Sequence, residues 1–246
     1  MSAGRDGAAG AVKEKVVELG EYRVNVVTTG AGPAIVMLHG EDKQPSWRDW
    51  KGFLGLADRF RLVIPDLVGF GKSSRPSDTP DYKAQARIVH ELLEALGVEK
   101  AAFAGHSWGG QVALEVGINW PECVDSLILV ASTYDKAQLP KLAKIRRPSL
   151  VVWAEDDLVT QLKAGYLLRD ALGTSKLEVL SPVAKDPKHD FTYAHRLLAS
   201  RSDELNKLFR SFLALPSAST AEPPEIEKEL RGMALKQETE KSWGLG

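Results

Sequence analysis

The strongest constraint on this chain is an alternation. From residue 34 to residue 215, short apolar runs bounded by turn residues take turns with stretches whose apolar side chains recur at helical spacing. The apolar runs are "AIVMLHG" (34–40), the opening of "RLVIPDLVGFGKSS" (61–74), "AAFAG" (101–105), "DSLILVAS" (125–132), "PSLVVWA" (148–154) and "KLEVL" (176–180). Between and after them lie "SWRDWKGFLGLADRF" (46–60), "KAQARIVHELLEALGV" (83–98), "GGQVALEVGINW" (109–120), "QLKAGYLLRDAL" (161–172) and "SDELNKLFRSFLAL" (202–215). Strands separated by helices are joined by right-handed crossovers, which makes a mostly parallel sheet covered on both faces. Two further runs, "KVVELG" (15–20) and "YRVNVVTTG" (22–30), follow each other too closely for a crossover and predict an antiparallel start. The expected architecture is α/β, with about eight strands in one domain over 13–215. Sites in such sheets collect at the carboxyl ends of the strands.

Flanking segments read differently. Residues 1–12 are rich in Gly and Ala and are expected to be loose, while 216–246 is polar. Ile226, Leu230 and Met233 are spaced for a short helix behind Pro223 and Pro224, so a solvated tail with one helical stretch is expected there.

Charge excludes one class of partner. With 32 basic and 33 acidic side chains the chain carries a formal charge of -1, and no basic stripe interleaved with aromatics tracks along it, so nucleic acid is not an expected partner. Cys123 is the only cysteine, which forbids an internal disulfide, and its setting in "NWPECVDSL" reads as a structural thiol. No apolar run reaches the length of a bilayer span, and a cytoplasmic location is the expectation.

The chemistry centres on "AAFAGHSWGGQVA" (101–113). A serine at the tip of a strand-to-helix turn occupies a strained backbone conformation, and glycines two residues to either side remove the Cβ atoms that would collide. Gly105, Ser107 and Gly109 meet that demand. Such a turn lifts the hydroxyl above the sheet and leaves the Trp108 N–H at a helix N-terminus, where negative charge is stabilised. A serine nucleophile then needs a base, and the base a carboxylate to orient it. Two histidines lie downstream, His189 and His195.

Five segments in order, "LHG" (38–40), "PDLVGFGKSSRP" (65–76), "GHSWGG" (105–110), "SLVVWAEDD" (149–157) and "HRLLASRSDELNKLFRSFL" (195–213), make the chain resemble the α/β-hydrolase fold over about residues 14–215. The resemblance implies that the acid sits fourth in the turn "AEDD", at Asp157, with Asp156 beside it and Asp135 of "STYDK" as alternatives. It implies His195 as base by its interval to the last helix; the long segment 181–195 leaves His189 as the alternative. The second oxyanion donor falls on the backbone N–H of Glu41, and His39, Gly40, Trp47, Phe70 and His106 are implied pocket residues. Only "TYDKAQLPKLAKIRRP" (133–148) stands where many such proteins insert a helical cap, so the chain is similar to capless relatives typified by CCG1-interacting factor B. Dehalogenase and epoxide hydrolase relatives carry aspartate at the position of Ser107, which points away from their chemistry.

The expected activity is hydrolysis of a small-molecule acyl ester or thioester by a monomer or weak homo-oligomer, with no metal and no organic cofactor. Two alternatives are a non-catalytic binding or scaffold protein that keeps the fold, and acyl transfer to an acceptor other than water.

Overall fold

Strand β3 (Ala34–Leu38) shows how the alternation becomes three layers: Val36 and Leu38 point into one apolar cluster and Ile35 and Met37 into another on the opposite face. The same split recurs at Phe103 against Ala102 and Ala104, and at Trp153 against Val152 and Ala154. A strand buried on both faces needs a helix layer on each, which the intervening segments supply.

In the computed structural model, residues 11–42, 44–182 and 192–214 are described. Most of the expected loose N-terminus, the tail at 216–246 and His189 lie outside them. The other strands are β1 (Lys13–Leu19), β2 (Tyr22–Thr29), β4 (Arg61–Pro65), β5 (Ala101–His106), β6 (Val124–Val130), β7 (Ser149–Ala154) and β8 (Ser175–Leu180). They form one eight-stranded sheet in the order β1-β2-β4-β3-β5-β6-β7-β8. β2 runs antiparallel to both β1 and β4, and every other pairing is parallel.

One face is covered by α1 (Tyr82–Ala95), α2 (Trp108–Asn119), the short α3 (Leu139–Leu142) and α4 (Leu162–Ala171). α1 begins where the Asp81 carboxylate accepts from the N–H groups of Lys83 and Ala84, and ends before Gly97, whose φ of +61° suits glycine. α5 (Leu197–Ser200) and α6 (Ser202–Leu213) cover the other face together with residues 47–58.

That last segment departs from expectation. Ser46 caps it, its hydroxyl accepting from the Arg48 N–H at 3.3 Å, but Trp47–Asp58 is a 3-10 helix rather than an α-helix. Its apolar residues explain why: Trp47, Trp50, Phe53 and Leu56 recur every third residue, and a helix of three residues per turn stacks them in one row. Trp50 and Phe53 pack edge to face at 5.1 Å, and both rings meet Phe209 of α6.

The β6-to-β7 crossover, residues 131–148, holds only α3 and no cap domain. A polar network pins it to the helices beneath. Gln138 donates to the buried Glu115 carboxylate at 2.9 Å, Thr133 to Gln111 at 3.0 Å, and the Tyr82 hydroxyl to Asp135 at 3.1 Å.

Candidate active site

Ser107 links β5 to α2 with φ +50° and ψ -120°, a backbone state that costs a non-glycine residue on the order of 1–3 kcal/mol. Close packing around the turn holds it there. A Cβ on Gly105 would lie 2.5 Å from the Gly109 carbonyl oxygen, and one on Gly109 would overlap the carbonyls of Leu38 and His39. The Ser107 carbonyl is also occupied, accepting from the N–H groups of Gly110 and Thr133 at 3.0 Å each.

From this elbow the Ser107 hydroxyl lies 3.0 Å from Nε2 of His195, and Nδ1 of His195 lies 2.9 Å from Oδ2 of Asp157. All three residues are buried. Asp157 comes from the turn after β7, where its Oδ1 accepts from the N–H groups of Val159 and Thr160 at 2.8 and 3.0 Å. Burial pushes its ionisation up, but the hydrogen bond and charge of His195 and the bonds from Thr160 outweigh burial, and the carboxyl is held below its usual range.

Thr160, which sequence reading did not single out, borders the row on one side. Its hydroxyl lies 2.9 Å from Asp157 Oδ2, 3.2 Å from His195 Nδ1 and 3.2 Å from the carbonyl of Ala131. Ala131 has φ +45° at the end of β6, which turns that carbonyl toward Thr160. The signal in the sequence was slight: a threonine three residues after the acid.

The other candidates have different surroundings. Asp156 is half-buried beside Asp157, while the Asp135 carboxylate is engaged by the Tyr82 hydroxyl and by the Ala137 N–H at 2.8 Å. Glu41 and Asp42 expose their side chains, so only backbone at the end of β3 faces Ser107, where a Gly40 Cβ would sit 2.9 Å from the serine Cβ. His39 and His106, expected in the pocket wall, are both buried. Nδ1 of His39 donates to the Gly40 carbonyl at 2.8 Å while its Nε2 accepts from the Leu67 N–H at 3.0 Å, and desolvation keeps this ring's ionisation low. Phe70 and Trp108 are half-buried and meet edge to face at 5.7 Å, an aromatic wall beside the serine. Trp47 is half-buried at the start of the 3-10 helix, its N–H bound at 2.7 Å to Asp66. Among the described residues no group of three His, Cys, Asp or Glu side chains is arranged to hold a metal ion.

Comparison with known proteins agrees on the architecture. The family described as alpha/beta hydrolase fold matches residues 33–144. Over 110 residues the chain is 36% identical to a soluble epoxide hydrolase from Corynebacterium sp. (strain C12), covering 44% of this chain and 38% of that protein. The chain thus aligns with less than half the length of the curated relatives it matches. Among solved structures, a serine hydrolase involved in carbazole degradation superposes with a TM-score of 0.73 at 19% identity, over 84% of this chain and 100% of that one. A predicted CIB-like hydrolase from Thermoplasma acidophilum gives 0.71 at 22% identity, over 83% and 98%. The chain thus has the α/β-hydrolase fold, with no cap domain among the described residues. The relatives named here are hydrolases, and among the described residues no helix is long and apolar enough to cross a membrane.

Proposed function

We propose that this protein is a serine hydrolase that cleaves a small acyl ester or thioester through an acyl-enzyme. The observation that carries the reading is the unbroken row from the Ser107 hydroxyl through His195 to Asp157, at 3.0 and 2.9 Å, starting from a strained elbow. Asp157 engages the Nδ1–H of His195, which leaves the lone pair on Nε2 facing the serine. As the serine oxygen bonds to the substrate carbonyl carbon, its proton passes to Nε2 and the carbonyl electron pair moves onto oxygen. Collapse breaks the bond to the leaving alcohol or thiol, which takes the proton from His195. Water then repeats the sequence and releases the acid.

The negative oxygen is met by the N–H of Trp108 at the start of α2 and by that of Glu41. His39 fixes the second of these indirectly. The Gly40 carbonyl that it binds shares a planar trans peptide with the Glu41 N–H, so holding one directs the other the opposite way. With Glu41 and Asp42 exposed, solvent weakens the effect of their charge on this oxygen without removing it.

Serine also limits the substrate. Attack on the carbon of an epoxide or a haloalkane would leave an ether on Ser107, which has no carbonyl for water to attack. An acyl-serine does, and for this reason ester or thioester cleavage is preferred over the activity named for the epoxide hydrolase relative.

A fluorophosphonate probe together with p-nitrophenyl esters of increasing chain length tests the reading. Labelling and turnover are expected in the wild type and absent in Ser107→Ala. Well-folded protein that takes up no label favours a binding or scaffold role instead. Product analysis with added alcohols, amines or coenzyme A separates hydrolysis from acyl transfer.

A further inference from the structure

Ser107 and Asp157 are rooted on the ends of β5 and β7, but His195 follows a long connection after β8, and its position depends on what grips its backbone. Among the described residues, three hydrogen bonds do so. Its N–H donates to the Thr192 carbonyl at 3.0 Å, and its own carbonyl accepts from the Leu197 N–H at 2.9 Å; both are contacts within the local turn. The third comes from the sheet: Nε2 of His106 lies 2.9 Å from the His195 carbonyl oxygen.

From this geometry we infer that His106 is a positioning residue, a tether that fixes the backbone of the base to the end of the nucleophile strand. The inference rests on the hydrolase reading and extends it.

His106 is the last residue of β5 and adjoins Ser107 directly. A carbonyl only accepts, so Nε2 carries the hydrogen and Nδ1 is bare in the neutral ring. The Nδ1 side is filled by the end of β3, where a Cβ on Gly40 would come within 3.1 Å. The imidazole is thus wedged between the oxyanion turn and the base, with its ring 5.1 Å from that of His195. Burial, followed by the nearby His195, pushes its ionisation down to about 4, so it stays a neutral donor at neutral pH. A charged neighbour at that distance would oppose formation of the His195 imidazolium; a neutral one holds the loop without that penalty. The tether thereby links three parts of one reaction centre.

The experiment compares His106→Gln, whose side-chain amide can donate to the same carbonyl, with His106→Leu, which fills similar volume without a donor. The first readout is the downfield proton resonance of the His195 Nδ1–H, which exists only while the imidazole stays aligned on Asp157. The second is the rate of fluorophosphonate labelling at Ser107, with kcat and KM for an ester. In the leucine variant the resonance should disappear and labelling and kcat should fall about 10- to 100-fold, the scale expected for a misplaced catalytic group, with KM changed less than about threefold. Glutamine should recover most of both losses. A leucine variant with wild-type resonance and rate overturns the inference, as does a glutamine variant no better than leucine. Should leucine fail to fold, the wild type decides: its His106 Nε2–H must exchange slowly with solvent, and fast exchange refutes the tether. Both proton measurements are made with or without turnover, so an unlabelled wild type would count against hydrolysis and leave the tether to be judged by resonance.

Discussion

Replacing Asp157 by asparagine asks whether His195 is held in the tautomer that catalysis needs. The carboxylate accepts on both sides: Oδ1 from the N–H groups of Val159 and Thr160, Oδ2 from His195 Nδ1 and the Thr160 hydroxyl. Asparagine keeps only one oxygen, so it must choose a side. Turning the NH2 group toward Val159 and Thr160 would leave two backbone donors unsatisfied, at roughly 1–3 kcal/mol each. The opposite orientation gives up the bonds from His195 and from the Thr160 hydroxyl, but the ring can respond by moving its proton and the hydroxyl can turn to the Ala131 carbonyl at 3.2 Å. The amide NH2 therefore faces Nδ1 and donates to it, the ring proton shifts to Nε2, and the atom facing Ser107 can no longer accept. The expected loss in kcat is about 10⁴-fold, the scale seen when a triad histidine is locked in the wrong tautomer. Labelling rate with a fluorophosphonate, read against Ser107→Ala, measures it, while thermal melting checks that the fold survives. Asp156→Asn is the control and should stay within about threefold, the scatter of a surface change. A loss below tenfold in Asp157→Asn refutes the tautomer reasoning, and a reversed order of the two variants reassigns the acid to Asp156.

Two further outcomes follow from named contacts. Asp49 is raised to about 6, first by burial and then by the charges of Asp42 and Asp66, against a hydrogen bond from Ser46 that lowers it. Its folded value lies above the unfolded one, so ionised Asp49 costs stability above about pH 6 and costs nothing once pH falls below the ordinary carboxylate value, about 4. Calorimetry on Asp49→Asn should show a higher melting temperature at pH 8 and no gain at pH 4; an equal gain at both would contradict the assignment. Thr160→Val removes the hydroxyl that touches Asp157, His195 and the Ala131 carbonyl. Turnover should fall roughly tenfold, as one charge-assisted hydrogen bond is worth about 1.5–3 kcal/mol at most, and Thr160→Ser should restore it. A valine variant with wild-type kcat removes Thr160 from the site.

The fold was legible because its signals are local. A run such as "AIVML" is buried on both faces wherever it sits in a covered sheet, and Asp81 and Gly97 mark the ends of α1 within a few residues. The 3-10 helix at 47–58 was legible too, but only to a reading that separated a strict three-residue repeat from the 3.6-residue period of an α-helix. Ser107 stood out because its conformation demands particular neighbours on both sides. Thr160 and His106 offered no such pattern. What distinguishes them is a hydroxyl and a ring nitrogen aimed at atoms 35 and 89 positions away, and a polar side chain in a turn or strand end looks the same with or without its distant partner. The hydrogen-bond partners of His39 and His106 were hidden for the same reason. Proximity to Ser107 along the chain could not say whether the rings face the substrate or the protein interior.

The distinction between rooted and tethered groups also bears on what the missing cap does to the site. In the β6-to-β7 crossover, hydrogen bonds from Thr133 to the Ser107 carbonyl and from Gln138 to Glu115 hold the chain down on the elbow, so this stretch supports the nucleophile from the side and does not roof it. On the proposed reading, the lack of a roof from this stretch suits a mechanism that ends with water attacking an acyl-serine. With nothing from this crossover lying over the site, the alignment of the base falls to contacts with the buried floor. Two buried imidazoles supply such contacts: His39 binds the Gly40 carbonyl, and His106 the His195 carbonyl. On the proposed reading, a floor tied in this way keeps the geometry of proton transfer fixed whichever acyl group is bound.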